Sequence, residues 1–416
     1  MKKHKLTFSL KALAFLIVLI VVFGQIITAQ TYEFKGKVID KETKEQKLFA
    51  SISISNSNIG TVTNAEGNFL IKVPDDKSNQ NLIVSYIGYK NAEIPLSTLK
   101  KGVQNIIEIE SKNVKLSTII ATPKEPEEIV RAMLSNLDNK YYTDKAMLEA
   151  FYRESIKERR HYQTLAEAVV NIYKAPNRAV FGHDQVNIEK GRKNINTKNI
   201  DTLLVKLRGG PRVLMYLDLV KNPSMILNDD YIKFYTYKIE NIVSIDNKPH
   251  YVISFTQQPY VNFPLYSGKF YVDMEKLALR EAIFSMNMIN SVEVQRRFLR
   301  KKPLFMKFEP KYANYHIKYE EIDGKYMFDY ARATINFVCD YKHKLFKNRY
   351  TITSEMVVTD RKFDNVQPFE KHQQFYSNQI LSENLSSFSD EAFWGNKNII
   401  DPTKDINKAI QKLIKK

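Results

Sequence analysis

The sequence predicts a mainly β protein in two unequal parts, a small β-sandwich followed by a large antiparallel sheet with a few helices. Three observations carry this. Short runs alternate polar and apolar residues, as in Ser51-Ile52-Ser53-Ile54-Ser55, so one side of each pleat is buried and the other wet. Turn-forming residues recur between such runs, and strand follows strand without the regular intervening helices of a parallel sheet. Tyr and Phe number 24 each against a single Trp, a composition that suits pleated surfaces.

In chain order, the first strands lie between Phe34 and Leu96. Phe69, Ile71 and Val73 alternate with Asn68, Leu70 and Lys72. Between them and Thr61-Val62-Thr63 sits Asn64-Ala65-Glu66-Gly67-Asn68, a short hairpin loop in which Gly67 can take a positive φ without steric cost. Leu82 to Tyr86 is a continuous strand-like run closed by Ile87-Gly88-Tyr89, and Val103 to Ile109 completes the sandwich, with Leu116 to Ile120 as one further candidate strand.

Four ordered blocks carry a resemblance: Gly36-Lys37-Val38-Ile39-Asp40, Ala50 to Ile54, Gly60 to Phe69, and Ser85-Tyr86-Ile87-Gly88-Tyr89. Together they resemble the carboxypeptidase-regulatory-like domain. The resemblance implies a transthyretin-like sandwich of about seven strands. It also implies an accessory role with no active site, in a family common in exported Bacteroidetes proteins and at the front of TonB-dependent transporters. Lys44 departs from the pattern, where the family usually has Gly.

Residues 1–29 read as a secretory signal. Lys2, Lys3, Lys5 and Lys11 form a basic region, Ala12 to Phe23 an apolar one, and Ile27-Thr28-Ala29 a cleavage site. The competing reading is an uncleaved inner-membrane anchor through residues 12–29. Export places the chain in the periplasm or at the outer membrane. The formal net charge is +17, and removing the four lysines of residues 1–29, which hold no acidic residue, leaves +13. That surplus suits an anionic partner, namely lipid, lipopolysaccharide or polysaccharide, or else is a solvated lysine-rich surface. Export argues against nucleic acid. A lone cysteine, Cys339 in Asn336-Phe337-Val338-Cys339, makes no internal disulfide and reads as a buried small hydrophobe.

The domain plan is residues 1–29 as signal, 30–120 as sandwich, 121–128 as a proline-rich acidic linker, 129–400 as the β-rich domain and 401–416 as a basic amphipathic helix. Thr122, Pro123 and Glu125 fit the start of a helix, with Pro126 as the alternative start, and Ile129, Met133 and Leu137 supply its apolar stripe. Strands then follow at Ala150 to Ser155 and Glu167 to Tyr173. Val213 to Val220 fits a short helix after Gly209-Gly210-Pro211. Phe234 to Ile245, Tyr251 to Phe255, Ser267 to Asp273, Leu279 to Phe284, Tyr312 to Tyr319, Tyr326 to Cys339 and Tyr350 to Val358 form a long meander, with Asp323-Gly324 as a hairpin turn. The block Tyr251 to Phe284 resembles part of the periplasmic lipoprotein-carrier-like half-barrels, whose curved sheet implies an apolar cavity for acyl chains. The segment Ser389 to Pro402 resembles the tail of Bacteroidetes proteins that pair a regulatory-like domain with such a second domain. The last helix presents Ile406, Ile410 and Leu413 on one face, for docking on its own domain or on an anionic membrane.

The sequence carries no recognisable catalytic or metal-binding motif. His4, His161, His183, His250, His316, His343 and His372 show no metal-binding spacing. There is no nucleophile elbow and no phosphate loop. Ser97-Thr98-Leu99-Lys100 matches a Ser-x-x-Lys pattern that occurs by chance. Asp229, Asp230 and Asp273 suit turns better than a calcium site, and Lys190-Gly191-Arg192-Lys193 reads as a basic hairpin turn able to hold an anion. The expectation is therefore a non-enzyme with no catalytic, cofactor or metal residues. The sandwich would dock and the second domain would bind a partner or ligand in the envelope. The alternatives are an acyl-chain carrier and, less favoured, a hydrolase or peptidase accessory.

Overall fold

The computed structural model describes residues 30–112, 125–177, 182–195, 209–298, 306–342, 347–387 and 391–414. Seven strands form the first part: β1 (Thr31–Asp40), β2 (Ser51–Ile54), β3 (Gly60–Val62), β4 (Asn68–Pro74), β5 (Asn81–Ser85), β6 (Ala92–Pro95) and β7 (Gln104–Ile109). They make two sheets, β4-β1-β7 and β3-β2-β5-β6, antiparallel except for the β1–β7 pair. Phe34, Val38, Phe69 and Ile71 meet Ile52, Leu82 and Val84 between the sheets. Gly36 lies under Phe69, whose ring leaves no room for a Cβ there. Gly67 takes φ +74, and its carbonyl accepts from Val38 N at 2.9 Å. Lys44 adopts the left-handed conformation of the glycine it replaces, at φ 60.

The second part is one sheet in the order β11-β12-β13-β14-β15-β16-β17-β8-β9-β10-β18. The chain enters at its middle through β8 (Ala146–Glu158) and runs to one edge through β9 (His161–Lys174) and β10 (Gln185–Ile195). It then fills the other half with β11 (Tyr235–Ile245), β12 (Lys248–Gln257), β13 (Tyr266–Asp273), β14 (Leu279–Met286), β15 (Met306–Ile322), β16 (Lys325–Tyr341) and β17 (Asn348–Lys362). β17 closes the gap beside β8, with Val357 opposite Phe151, and β18 (Ser386–Ser387) adds a short parallel edge to β10. Asp246-Asn247 and Asp323-Gly324 turn tightly with both φ positive, as two-residue hairpins require.

Three expectations are corrected. Lys190-Gly191-Arg192-Lys193 is not a turn but lies within β10, beside a bulge at Ile188/Lys190. Gly191 is needed there because a Cβ would strike Leu385 and the Glu167 carbonyl. The helix expected over Val213 to Val220 runs instead over Gly210–Met215, started by Gly209 at φ +85 and Pro211. The stripe expected from Ile129 to Leu137 is split, because Asn136 is left-handed. The candidate strand Leu116 to Ile120 and the start at Thr122 and Pro123 lie outside the described residues.

Helices α1 (Pro126–Met133), α2 (Leu137–Lys140), α3 (Gly210–Met215), α4 (Asp229–Ile232) and α5 (Ser291–Phe298) all belong to the second part. α1 to α4 cover one face of the sheet, called here the inner face. Ile129, Val130, Leu214, Met215, Leu219 and Ile232 pack there on Phe255, Phe270, Ile317 and Met356. The sandwich covers the opposite, outer face, and α6 (Lys404–Ile414) docks on that side through Ile406 and Ile410 against Leu165.

Candidate functional site

The outer face shows how the two parts are held. Val62 and Leu70 of the sandwich pack with Phe151, Val169, Tyr330 and Val357 of the sheet and with Trp394, Ile399 and Ile400 of the C-terminal segment. That segment is a strap. Thr61 Oγ1 donates to Ile399 O at 3.1 Å, Asn64 Nδ2 to Asp401 O at 3.0 Å, and Lys72 N to Asn398 Oδ1 at 2.7 Å. The Glu66 carboxylate accepts from Lys404 N at 3.1 Å at the start of α6, a favourable place for negative charge. Phe49, at φ 60, presses its ring toward Tyr330 and His316 while its carbonyl accepts from Lys318.

Charge on this face is buried and paired. Arg153 Nε lies 2.6 Å from Glu167 Oε1 and its Nη1 3.3 Å from Glu355 Oε1, while Nη2 donates to Ile400 O at 2.8 Å. Arg192 takes the other Glu167 oxygen at 3.0 Å, and Arg332 takes Glu355 at 3.0 Å. His316 Nε2 sits 2.5 Å from Glu281 Oε1. Burial pushes the His316 pKa down while Glu281 pulls it up. Ser51 Oγ lies 3.4 Å from Lys318 Nζ, so a Ser, a Lys, a His and a Glu come together here, although no sequence spacing signalled it. Lys318 is already committed to the Phe49 carbonyl, and the group is sealed by the sandwich, so it serves docking.

The inner face is filled at one end. The stretch from Gly209 to Ile232 caps it and is latched by a buried cluster. Lys174 Nζ lies 2.6 Å from Asp218 Oδ2 and 3.0 Å from Asp184 Oδ2, and Lys221 Nζ 2.5 Å from Asp184 Oδ1. Tyr319 Oη donates to Asp218 Oδ1 at 3.0 Å. Burial opposes the Lys174 charge, but the two carboxylates outweigh it and raise its pKa.

Farther along the same strands the covering thins. One row of paired positions crosses the sheet through Phe284, Tyr315, Ala333, Ser354, Glu154 and Ala166. Phe284 and Tyr315 stack with centroids 5.1 Å apart, and then the side chains become small. Ala333, Ile335, Ser354 and Thr164 are partly exposed although they sit on central strands. Ile156, Ile352 and Tyr350 lie buried beside them. Small, partly accessible residues thus lie between larger buried apolar ones at this end of the inner face. Glu154, 2% exposed, is the carboxylate there. Among the described residues its side-chain hydrogen bond is with Tyr152 Oη, which donates to Oε2 at 2.8 Å. Burial raises its pKa from 4.5 to about 7, against the pull of that hydroxyl. The signal for it in the sequence was faint, since Arg153-Glu154-Ser155 reads as an ordinary polar end to a strand.

Among the described residues, two open clefts elsewhere carry charged side chains on their walls. One of about 540 Å³ is lined by Arg131, Lys221, Asn222 and Asp229. Another of about 330 Å³ lies between the sandwich hairpin, the sheet and α6, with Glu66, Arg332, Thr334, Thr353 and Asp405 on its walls. Neither suits an alkyl chain.

The residues singled out from sequence do not converge. Ser97 lies exposed in a surface 3-10 turn, Leu96–Thr98. Asp229 pairs with Arg131 at 2.9 Å, and Asp230 N donates to the Asn228 cap. Asp273 accepts from Glu275 N and Lys276 N at 2.8 Å, the turn role expected of it. Cys339 is buried, and burial pushes its thiol up to about 12. Among the described residues no three His, Cys, Asp or Glu side chains cluster as metal ligands, and no helix is long and apolar enough to cross a membrane.

Comparison with known proteins fits the sandwich first. The family model of the CarboxypepD_reg-like domain matches residues 34–120, as the four sequence blocks predicted. The first part is a CarboxypepD_reg-like domain. Among curated proteins, none matches the chain. Solved structures similar to it include a DUF1329 family protein from Desulfovibrio piger, at 13% identity over 60% of this chain and 99% of that one, with a TM-score of 0.25. A LolA superfamily protein from Nitrosomonas europaea matches at 13% identity over 59% and 96%, with a TM-score of 0.22. At such TM-scores they bear on neither ligand nor activity. What the regulatory-like domain is attached to must be read from the second part's own side chains.

Proposed function

We propose that this chain is a non-enzymatic cell-envelope binding protein. In this reading the CarboxypepD_reg-like domain braces the outer face of the sheet, and an alkyl or acyl chain binds in a recess of the inner face. The observation that carries it is the partly exposed apolar floor at Ala333 and Ile335 on central strands, walled by Tyr315, Ile352 and Ile156. A central strand in a finished core is covered on both faces. Small residues left accessible between large buried ones make a concave apolar site of the kind that small hydrophobic ligands fill. The envelope location rests on residues 1–29, and N-terminal sequencing of the protein from its own cell would show whether it begins at Gln30.

Native mass spectrometry of the protein extracted from its own envelope tests the binding. A reproducible lipid adduct is expected, and Ala333→Trp, which fills the recess, should remove it without unfolding the chain. An adduct that persists in Ala333→Trp, or none in the unaltered protein, would defeat this reading and leave the second domain as a scaffold.

A further inference from the structure

We propose that Glu154 anchors the head group of the recess ligand, and that this ligand is an amphiphile bearing a primary amine beside its alkyl chain. The proposal rests on the recess being an alkyl-chain site. Among the described residues, the other carboxylates buried to a similar degree are met by a cation or by backbone N–H groups. Glu167 has Arg153 and Arg192, Asp218 has Lys174, Glu281 has the charge of Lys318 besides its bond to His316, Glu355 has Arg332, and Asp273 has two backbone N–H groups. Asp40 lies 3.3 Å from Lys47, and Asp329 is paired with Arg361.

Glu154 breaks this pattern, with one tyrosine hydroxyl and no cation. Its partners across the strands are Ser354 and Ala166, neither of which can supply charge. The next cationic position in the row, Lys193, is two strands away, beyond Ala166. A buried carboxylate without a counter-charge is costly to a fold, and a ligand that brings the charge recovers that cost on binding. An ammonium placed over Ser354 has three donors. One would meet Glu154, and the oxygens of Ser354 and Tyr152 stand beside it for the others. The alkyl chain would then lie over Ala333 and Ile335 toward Tyr315 and Ile352. A fatty acid in that position would set its carboxylate against Glu154, and like charges held together are disfavoured.

Calorimetric titration of the full chain with dodecylamine, 1-dodecanol and dodecanoic acid, each below its aggregation concentration, tests this. The unaltered protein should bind the amine more tightly than the alcohol by on the order of 10-fold or more, with the acid weakest. Glu154→Gln should lose that preference while keeping its affinity for the alcohol, which reports that the recess is intact. An amine that binds no better than the alcohol, or a preference that survives in Glu154→Gln, overturns the anchor and leaves the recess standing. Failure of all three probes to bind overturns both the anchor and the alkyl-chain site.

Discussion

On its outer face the large sheet carries Arg153, Glu167, Arg192 and Glu355, buried, and the partly exposed Arg332, joined in one run of ion pairs beneath the sandwich and the strap. On its inner face, one residue along the same strand from Arg153, Glu154 is equally buried and meets no cation among the described residues. The strand is the same and the burial is the same. What differs is whether the chain itself supplies the opposite charge. The outer face is finished by the protein's own residues, which suits a permanent joint. The inner face is left electrically incomplete, which suits a visitor.

That contrast can be broken from either side. The largest effect should follow Arg153→Ala. It removes one of the two arginines on Glu167 and on Glu355 and the donor to the Ile400 carbonyl, and breaking a buried pair from one side costs about 3–5 kcal/mol. Urea denaturation should show the loss, with sandwich and sheet still unfolding in one transition. Separation into two transitions would mean that the charged joint does not couple them.

Glu154→Gln should act in the opposite direction. The folded-state pKa of this carboxyl lies above its ordinary value, at about 7 against 4.5. The native state therefore holds the proton more tightly than the unfolded chain does. No penalty exists below about pH 4, it grows between the two values, and it is fully present above pH 7. The groups that face Glu154 are Tyr152 and Ser354, and neither carries a compensating positive charge. The glutamine variant, in the absence of ligand, should be more stable than the parent by up to about 3 kcal/mol at pH 8 and equal to it at pH 4. Thermal melts at the two pH values check this, and a gain that does not depend on pH would contradict it.

The smallest effect sharpens the comparison by testing a site where charge hardly matters. Lys44 is left-handed, and its exposed Nζ reaches Glu108 at 2.7 Å. Relief of backbone strain in Lys44→Gly should slightly outweigh the lost surface pair, for a net gain of about 0.5 kcal/mol. A loss of stability would mean that the pair is worth more than surface pairs usually are.

Much of the architecture was legible. Alternation placed the strands, Asp323-Gly324 placed a hairpin turn, and the four N-terminal blocks identified the sandwich. The joint was not legible. Glu167, between Ala166 and Ala168, reads as the wet side of a strand, and only another domain arriving on top of it makes that position dry. Lys190 to Lys193 read as a turn because Gly191 punctuates a basic run, whereas the glycine answers to the closeness of Leu385. The strap from Trp394 to Asp405 carries no periodicity, because its bonds go to other parts of the chain. Glu154 was not legible because the groups that face a side chain are set by the three-dimensional fold.

The position of β17 beside β8 has a consequence for how the molecule is made. β8 is the first strand of the large sheet to be synthesised, and β17 is the last of its long strands. A chain emerging from its N-terminus therefore carries the middle strand of its future sheet with one edge bare while the remaining long strands appear. Pairing between strands so distant in sequence is slow, and an uncovered strand edge invites other chains to pair with it. The sandwich cannot help, because its seat on the sheet is completed only by the strap, which comes later still. Such a chain passes through a long interval of vulnerability and should depend on a holding chaperone until its last residues are released.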